Sequence, residues 1–316
     1  MCGRNDRGPP PEIYMQYSEE LIYDAAITET IVQRGRGMQS SVCLPLRKWR
    51  ETVEIRLLGT VEVLGDDGGI LPIQAPMLRT TLAALALRAG RVVPTEELAD
   101  QLWGVKTPAT ARVTLRNHIK RLRKILPAGR IHTESGGYRL AAELYEIDVE
   151  RFRRMLLLSR KLSREALREA ADTLDEALVL WRGTPLTDLV DSPLRVFEQP
   201  RLEDIYLTAV EERFALGLDL GDHEKIVDEI MVMARGHYAR ERLTYQLMTA
   251  LYRCGRTAEA LAAFRATRER MVDELGIEPT APLRELEQAI LRSDPALTLN
   301  LAAAATSPCL SAGGGA

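Results

Sequence analysis

Residues 115–126, LRNHIKRLRKIL, gather side chains suited to one task, holding a polyanion. Arg116, Lys120, Arg121, Arg123 and Lys124 are cationic donors, Asn117 carries an amide that both donates and accepts, and Arg112 stands just upstream. Arginine and asparagine can make paired hydrogen bonds to guanine and adenine edges, while lysine and arginine neutralise phosphate. Leu115, Ile119, Leu122 and Leu126 recur at i, i+4, i+7 and i+11, so the stretch must be a helix with one narrow buried face. From Gly104 to Thr133 there are eight Lys/Arg and no Asp/Glu. Solvated helix faces ordinarily mix signs, because opposite charges four residues apart stabilise and like charges repel. A plain solvated basic face stays open as an alternative, but an unmixed one is what a DNA-reading helix needs. By position, Arg116, Asn117 and Arg121 are assigned to base edges, and Arg112, Lys120, Arg123 and Lys124 chiefly to phosphates.

The elements around this helix give it a frame. Val53, Ile55 and Leu57, then Val61 and Val63, alternate as half-buried strands do. The DDGG of residues 66–69 signals a hairpin, with LPI (71–73) as the returning strand. PMLRTTLAALALRAG predicts a helix ending at Gly90, and PTEELADQLWG a short one capped by Thr95. The basic helix is expected to open with Thr107 as cap and Pro108 in its first position. RIHTESGGYRL then reads as a glycine-tipped hairpin. Strands, three helices and a hairpin make a winged helix-turn-helix, whose third helix enters the major groove while the wing touches the backbone or minor groove. Thr133 and Tyr138 on the wing are expected to reach phosphates. For Tyr138 the alternative is a core aromatic anchoring the hairpin. His118, at the edge of the buried face, reads as a packed histidine with at most one phosphate contact, and Trp103 as core.

From about Glu146 the pattern is helical only. Gly221 and Gly255 lie 34 residues apart, with Ile226 answering Ala260 and Ile230 answering Phe264. Helix pairs at that period are the tetratricopeptide pattern. The fold class expected is therefore mainly α: an N-terminal winged helix-turn-helix followed by an all-α tetratricopeptide-like domain. The boundaries read as a disordered extension over 1–52, the winged helix over 53–141, the helical domain over 146–293 and a disordered tail over 294–316. Met38 stands close to the expected start of ordered sequence.

Charge divides along the same line. The 316 residues carry a net charge of -3, but residues 53–140 hold 13 Lys/Arg against 8 Asp/Glu, while 141–316 hold 22 against 30. A basic segment beside an acidic one suggests a polyanion-binding module joined to something with another task. The absence of a long apolar run and of a signal-like start argues against a membrane span or secretion and for the cytoplasm. Cys2, Cys43, Cys254 and Cys309 are scattered, and His118, His132, His223 and His237 have no metal-ligand spacing. With no nucleophile motif or phosphate loop either, neither an enzyme nor a cofactor or metal is expected. The rival reading is a tetratricopeptide adaptor that binds protein only.

The residues carry a resemblance as well. HIKRLRKIL is close to the HIRRLRKAL form of the OmpR/PhoB-type winged helix. WRGTPLTDL, PRLEDIYLTAVEERF and the stretch from RERLTYQLMTALYRCGRTAEALAAF to LRELEQAIL are similar to the bacterial transcriptional activation domain. Together, over about residues 53–293, the chain resembles the Streptomyces antibiotic regulatory proteins. The resemblance implies a pathway-specific activator of a secondary-metabolite cluster. Such a protein binds direct repeats in promoter DNA, two or more protomers to a site, and recruits RNA polymerase holoenzyme through its sigma factor. It also implies a small member without the ATPase and sensor domains of larger relatives. Two departures stand out. Glu134 occupies a wing position where the family often has arginine, and would repel phosphate. HYARE (237–241) replaces the family's HPxRE.

Overall fold

The computed structural model describes residues 53–163 and 166–297; the expectations for 1–52, Met38 included, and for the tail beyond 297 fall outside those residues. Strands β1 (Glu54–Arg56) and β2 (Glu62–Leu64) pair antiparallel with Ile55 opposite Val63. The expected third strand over 71–73 is not formed. The chain leaves β2 through one bridge, Leu64 to Ile70, and one hydrogen bond from Leu71 N to Val63 O. Pro72 has no N–H to extend the ladder.

Helix α1 (Pro76–Ala86) runs on to a turn at Gly90, whose φ of 77° suits glycine. Strand β3 (Val92–Pro94), which the pattern did not foretell, leads straight into α2 (Thr95–Trp103). It pairs with β5 (Gly137–Leu140), which also pairs with β4 (Ile131–Glu134), so the wing is a three-stranded sheet in the order β3-β5-β4. That pairing redirects Thr95. Its hydroxyl and amide both donate to Gly136 O, at 3.1 and 2.9 Å, stapling the wing tip to the start of α2 instead of capping the helix. Thr107 is redirected likewise. It donates to Gly104 O at 2.6 Å to close a 3₁₀ turn (Gly104–Lys106), and α3 begins only at Ala111 and ends at Ile125.

The remainder is helical: α4 (Asp148–Leu162), α5 (Leu167–Leu178), α6 (Pro193–Asp219), α7 (His223–Gly236), α8 (Glu241–Arg253), α9 (Thr257–Leu275) and α10 (Ala281–Leu291). The 34-residue repeat is visible in three dimensions. Gly221 and Gly255 end α6 and α8 with φ of 80° and 76°, and the paired Ile226, Ala260, Ile230 and Phe264 are all buried.

The apolar core divides at an unexpected place. One continuous cluster runs from Val53, just before β1, through the winged helix, α4 and α5 to Leu216 in α6. A second gathers the C-terminal part of α6 with α7 to α10. The elements of the winged helix and the first helices of the following region therefore share one interior. Polar groups bind the seam. Buried Asp148 at the start of α4 accepts from Leu57 N at 2.8 Å, Leu58 N at 2.9 Å and Val149 N at 2.8 Å. Arg182 N donates to Leu58 O, and Val61 N to the Asp188 carboxylate. Arg130 holds Glu146 through two 2.7 Å hydrogen bonds across 141–146. Trp181 packs between Phe152 and Tyr206, 5.3 and 4.8 Å from their ring centroids.

Candidate nucleic-acid interface

Helix α3 is amphipathic as its spacing requires. Ala111, Leu115, His118, Ile119 and Leu122 are buried, and Leu126 follows them into the core. The hydrophobic term fixes this face, and everything else on the helix is left to solvent. Arg112, Arg116, Asn117, Lys120, Arg121, Arg123 and Lys124 are all exposed. The sequence-predicted set therefore divides by whether the protein already uses each side chain.

Arg116, Asn117, Lys120, Arg121 and Lys124 make no side-chain hydrogen bond or ion pair among the described residues. Their charge and hydrogen-bonding capacity are unspent. Arg112 is held by Glu96 of α2 at 2.5 Å, an exposed pair of little energetic weight that a phosphate could exchange. Arg123 is committed to the wing. Its Nε donates to Ile131 O at 3.1 Å and its Nη2 to Thr133 Oγ1 at 2.8 Å. Two residues assigned separately to phosphate are thus bonded to each other.

The wing departs from expectation at Tyr138. The side chain is only 8% exposed and belongs to the core, opposite Val93 and Thr133 in the sheet. It is the anchor of the hairpin, and the phosphate contact assigned to it is withdrawn. Glu134 is less repulsive than its charge suggests, because Arg139 donates to it at 2.9 and 3.2 Å. Gly137 lets β5 lie against β3: a Cβ there would stand 2.2 Å from Val93 O.

His118 packs as expected. Thr81 gives its single hydroxyl proton to Met77 O at 2.8 Å, so the hydroxyl accepts from His118 Nδ1–H at 2.9 Å. Trp103 stacks alongside, 6.5 Å from centroid to centroid. Burial, and secondarily the charge of Arg121, push the imidazole pKa below its ordinary value, so the ring is neutral at physiological pH. Among the described residues no group of His, Cys, Asp or Glu is arranged to hold a metal, and no helix is long and apolar enough to cross a membrane.

The sequence reading missed two participants. Glu96, in the first turn of α2, was read only as favourable to the helix dipole. Val113 sits exposed on α3 among the polar residues. A helical wheel that counted apolar residues on the wrong face, and not only those on the buried one, would have found it.

Comparison with known proteins agrees with this architecture. Residues 75–140 match the family described as "Transcriptional regulatory protein, C terminal", and residues 147–291 match "Bacterial transcriptional activator domain". The regulatory protein AfsR of Streptomyces coelicolor is 39% identical over 268 residues, covering 84% of this chain but 25% of its own length. The chain thus spans about a quarter of that relative. The regulatory protein DnrI of Streptomyces peucetius is 36% identical, covering 78% of this chain and 95% of its own. A solved structure of Mycobacterium tuberculosis EmbR in complex with low affinity phosphopeptide superposes with a TM-score of 0.74 at 28% identity, covering 78% of this chain and 66% of that one. The chain belongs to the Streptomyces antibiotic regulatory protein family of transcriptional regulators.

Proposed function

We propose that the protein is a sequence-specific DNA-binding activator, pathway-specific for a secondary-metabolite gene cluster. Helix α3 lies in the major groove of double-stranded DNA, with Arg116, Asn117 and Arg121 at base edges and Lys120 and Lys124 on phosphates. Arg112 is recruited from Glu96, and Arg123 and Thr133 set the wing against the backbone. Two or more protomers occupy promoter direct repeats, and the helical region recruits RNA polymerase holoenzyme through its sigma factor. The protein acts in the cytoplasm, at the nucleoid. The observation that supports this reading is the exposed face of α3, where four cations and one amide have no partner among the described residues and no acid stands among them.

The test is a footprint and gel shift on the intergenic regions flanking the protein's own gene, at two salt concentrations. The reading expects a protected pair of direct repeats about one helical turn apart, surviving competitor DNA. If about six phosphates are neutralised per protomer, the log-log salt slope is near -5, at roughly -0.9 per contact. Salt-sensitive binding without sequence preference would reduce α3 to a basic surface. No binding at either salt would favour the protein-only adaptor.

A further inference from the structure

The exposed face of α3 contains one residue that does not belong there on solubility grounds. Val113 is 57% exposed. Scattered exposed apolar side chains are ordinary in folded proteins, so exposure alone decides nothing. Position does. At 3.6 residues per turn, Val113 falls directly opposite the buried Leu115, Leu122 and Leu126, in one row with Asn117, Lys120 and Lys124 at i+4, i+7 and i+11. It is the apolar centre of a polar, cationic face. Helix propensity does not explain it either. An exposed valine is a poorer helix former than alanine, lysine or glutamine, because its branched β-carbon loses rotamer freedom against the preceding turn.

The row has a second property. Val113 and Asn117, both short, occupy the N-terminal half of the helix, and the long Lys120 and Lys124 follow toward the C-terminus. A recognition helix meets base edges with its N-terminal residues. Short side chains there permit close approach to the groove floor, and long ones further along reach outward to phosphate. At the floor of the major groove the apolar group on offer is the C5-methyl of thymine, and a small aliphatic side chain is its natural partner.

We propose that Val113 is a specificity determinant that reads the C5-methyl of a thymine in the major groove. The inference rests on the DNA-binding role of α3 proposed above and adds a base identity to it. Neighbours four residues apart on a helix are about 5–6 Å apart at Cβ. With a rise of about 3.4 Å per base pair, Val113 and Asn117 read base pairs no more than two steps apart. Asn117 suits adenine. The half-site therefore holds a thymine and an adenine within two base pairs of each other.

The test removes the methyl and nothing else. Starting from the footprinted operator, each thymine of one half-site is replaced singly by uracil, and the full-length protein is titrated against every duplex. Wild type binds one uracil duplex about three- to fivefold more weakly, the loss expected when one methyl group is left in water. Val113→Ala binds the parent duplex more weakly by a similar factor and no longer distinguishes that uracil duplex from it. Val113→Thr keeps a methyl in place and keeps the discrimination. Since the residue is exposed, neither variant should melt appreciably below wild type, and alanine can only raise the midpoint through its better helix propensity, which separates lost recognition from lost folding. Wild-type indifference to every uracil substitution overturns the proposal, as does an undiminished uracil penalty in Val113→Ala. If wild type itself prefers no duplex over competitor DNA, the DNA-reading role of α3 falls first and the base assignment with it.

Discussion

The guanidinium of Arg123, near the end of α3, donates to Thr133 Oγ1 on the wing at 2.8 Å, while its Nε holds the carbonyl of Ile131 at 3.1 Å. The helix proposed to read bases and the strand proposed to lie against the backbone are tied by one side chain. A cation assigned from its sequence position to phosphate thereby acquires an internal role: it ties the end of α3 to the wing strand.

That role separates Arg123 from Lys124 in a salt titration. Lys124→Ala should weaken binding to all sequences alike and flatten the log-log salt slope by roughly 0.9, one phosphate contact. Arg123→Ala should weaken binding while leaving the slope nearly unchanged, and should lower stability by about 1 kcal/mol through the lost hydrogen bonds. An equal change of slope in both variants would mean that Arg123 leaves the wing for phosphate when DNA binds.

Arg121 has no hydrogen-bond or ion-pair partner among the described residues and stands on the flank of the exposed face. Arg121→Ala should cost about 1–3 kcal/mol on the operator and relax preference at one base pair, read by binding to a library of single-position operator variants. Uniform loss across the library would move Arg121 to the phosphates.

Gly137→Ala should be severe. The added Cβ would sit 2.2 Å from Val93 O, and the three nearest atoms are all backbone of β3, so no flexible side chain can give way. A loss of about 3 kcal/mol is expected by urea denaturation, with the pairing of β3 and β5 as its cause. Gly136→Ala, at a φ of 82° with nothing near its Cβ, tests conformational strain alone and should cost less.

His118 makes stability depend on pH with a definite sign. Its pKa is lowered on folding, so the unfolded chain binds the proton more readily, and the folded state loses stability as pH falls through about 6.5. Asp148 opposes this. Burial pushes its carboxyl up to about 6 against the amides of Leu58 and Leu57 and the charge of Arg182, so its contribution fades as pH rises from about 4 toward 6. The two are separated by difference. Asn at position 118 retains a donor for Thr81, and His118→Asn should abolish the part of the pH dependence between about 5 and 7. An unchanged profile would show that the imidazole does not titrate with folding.

What could be read in advance followed from periodicity. The two faces of α3 and the 34-residue helical repeat are properties of spacing, and spacing is written in the chain. What could not be read depended on pairing with distant residues. Strand β3 is three residues long and ends in Pro94, so locally it looks like the lead-in to a helix; only its register with Gly137 to Arg139 makes it a strand. Thr95 and Thr107 carry the right side chain for capping, but each had a nearer carbonyl to satisfy. Tyr138 shares its sheet face with the buried Leu140 two residues on and lies opposite the buried Val93 of β3, and that face is the interior. Among the residues proposed to face DNA, type and exposure were legible. Prior commitment to Glu96 or Thr133 was not.

The division of the interior within α6, rather than between residues 141 and 146, limits how this chain can be taken apart or recombined. Cutting after residue 141 would strip the amides of Leu57 and Leu58 of their carboxylate and lay bare the apolar surface that meets Phe152 and Leu156. A winged helix grafted from a relative onto this chain therefore has to present a surface that matches this chain's Asp148, Trp181 and Asp188, or to arrive with its own α4, α5 and start of α6. The unit that can be exchanged is larger than the part that would touch DNA.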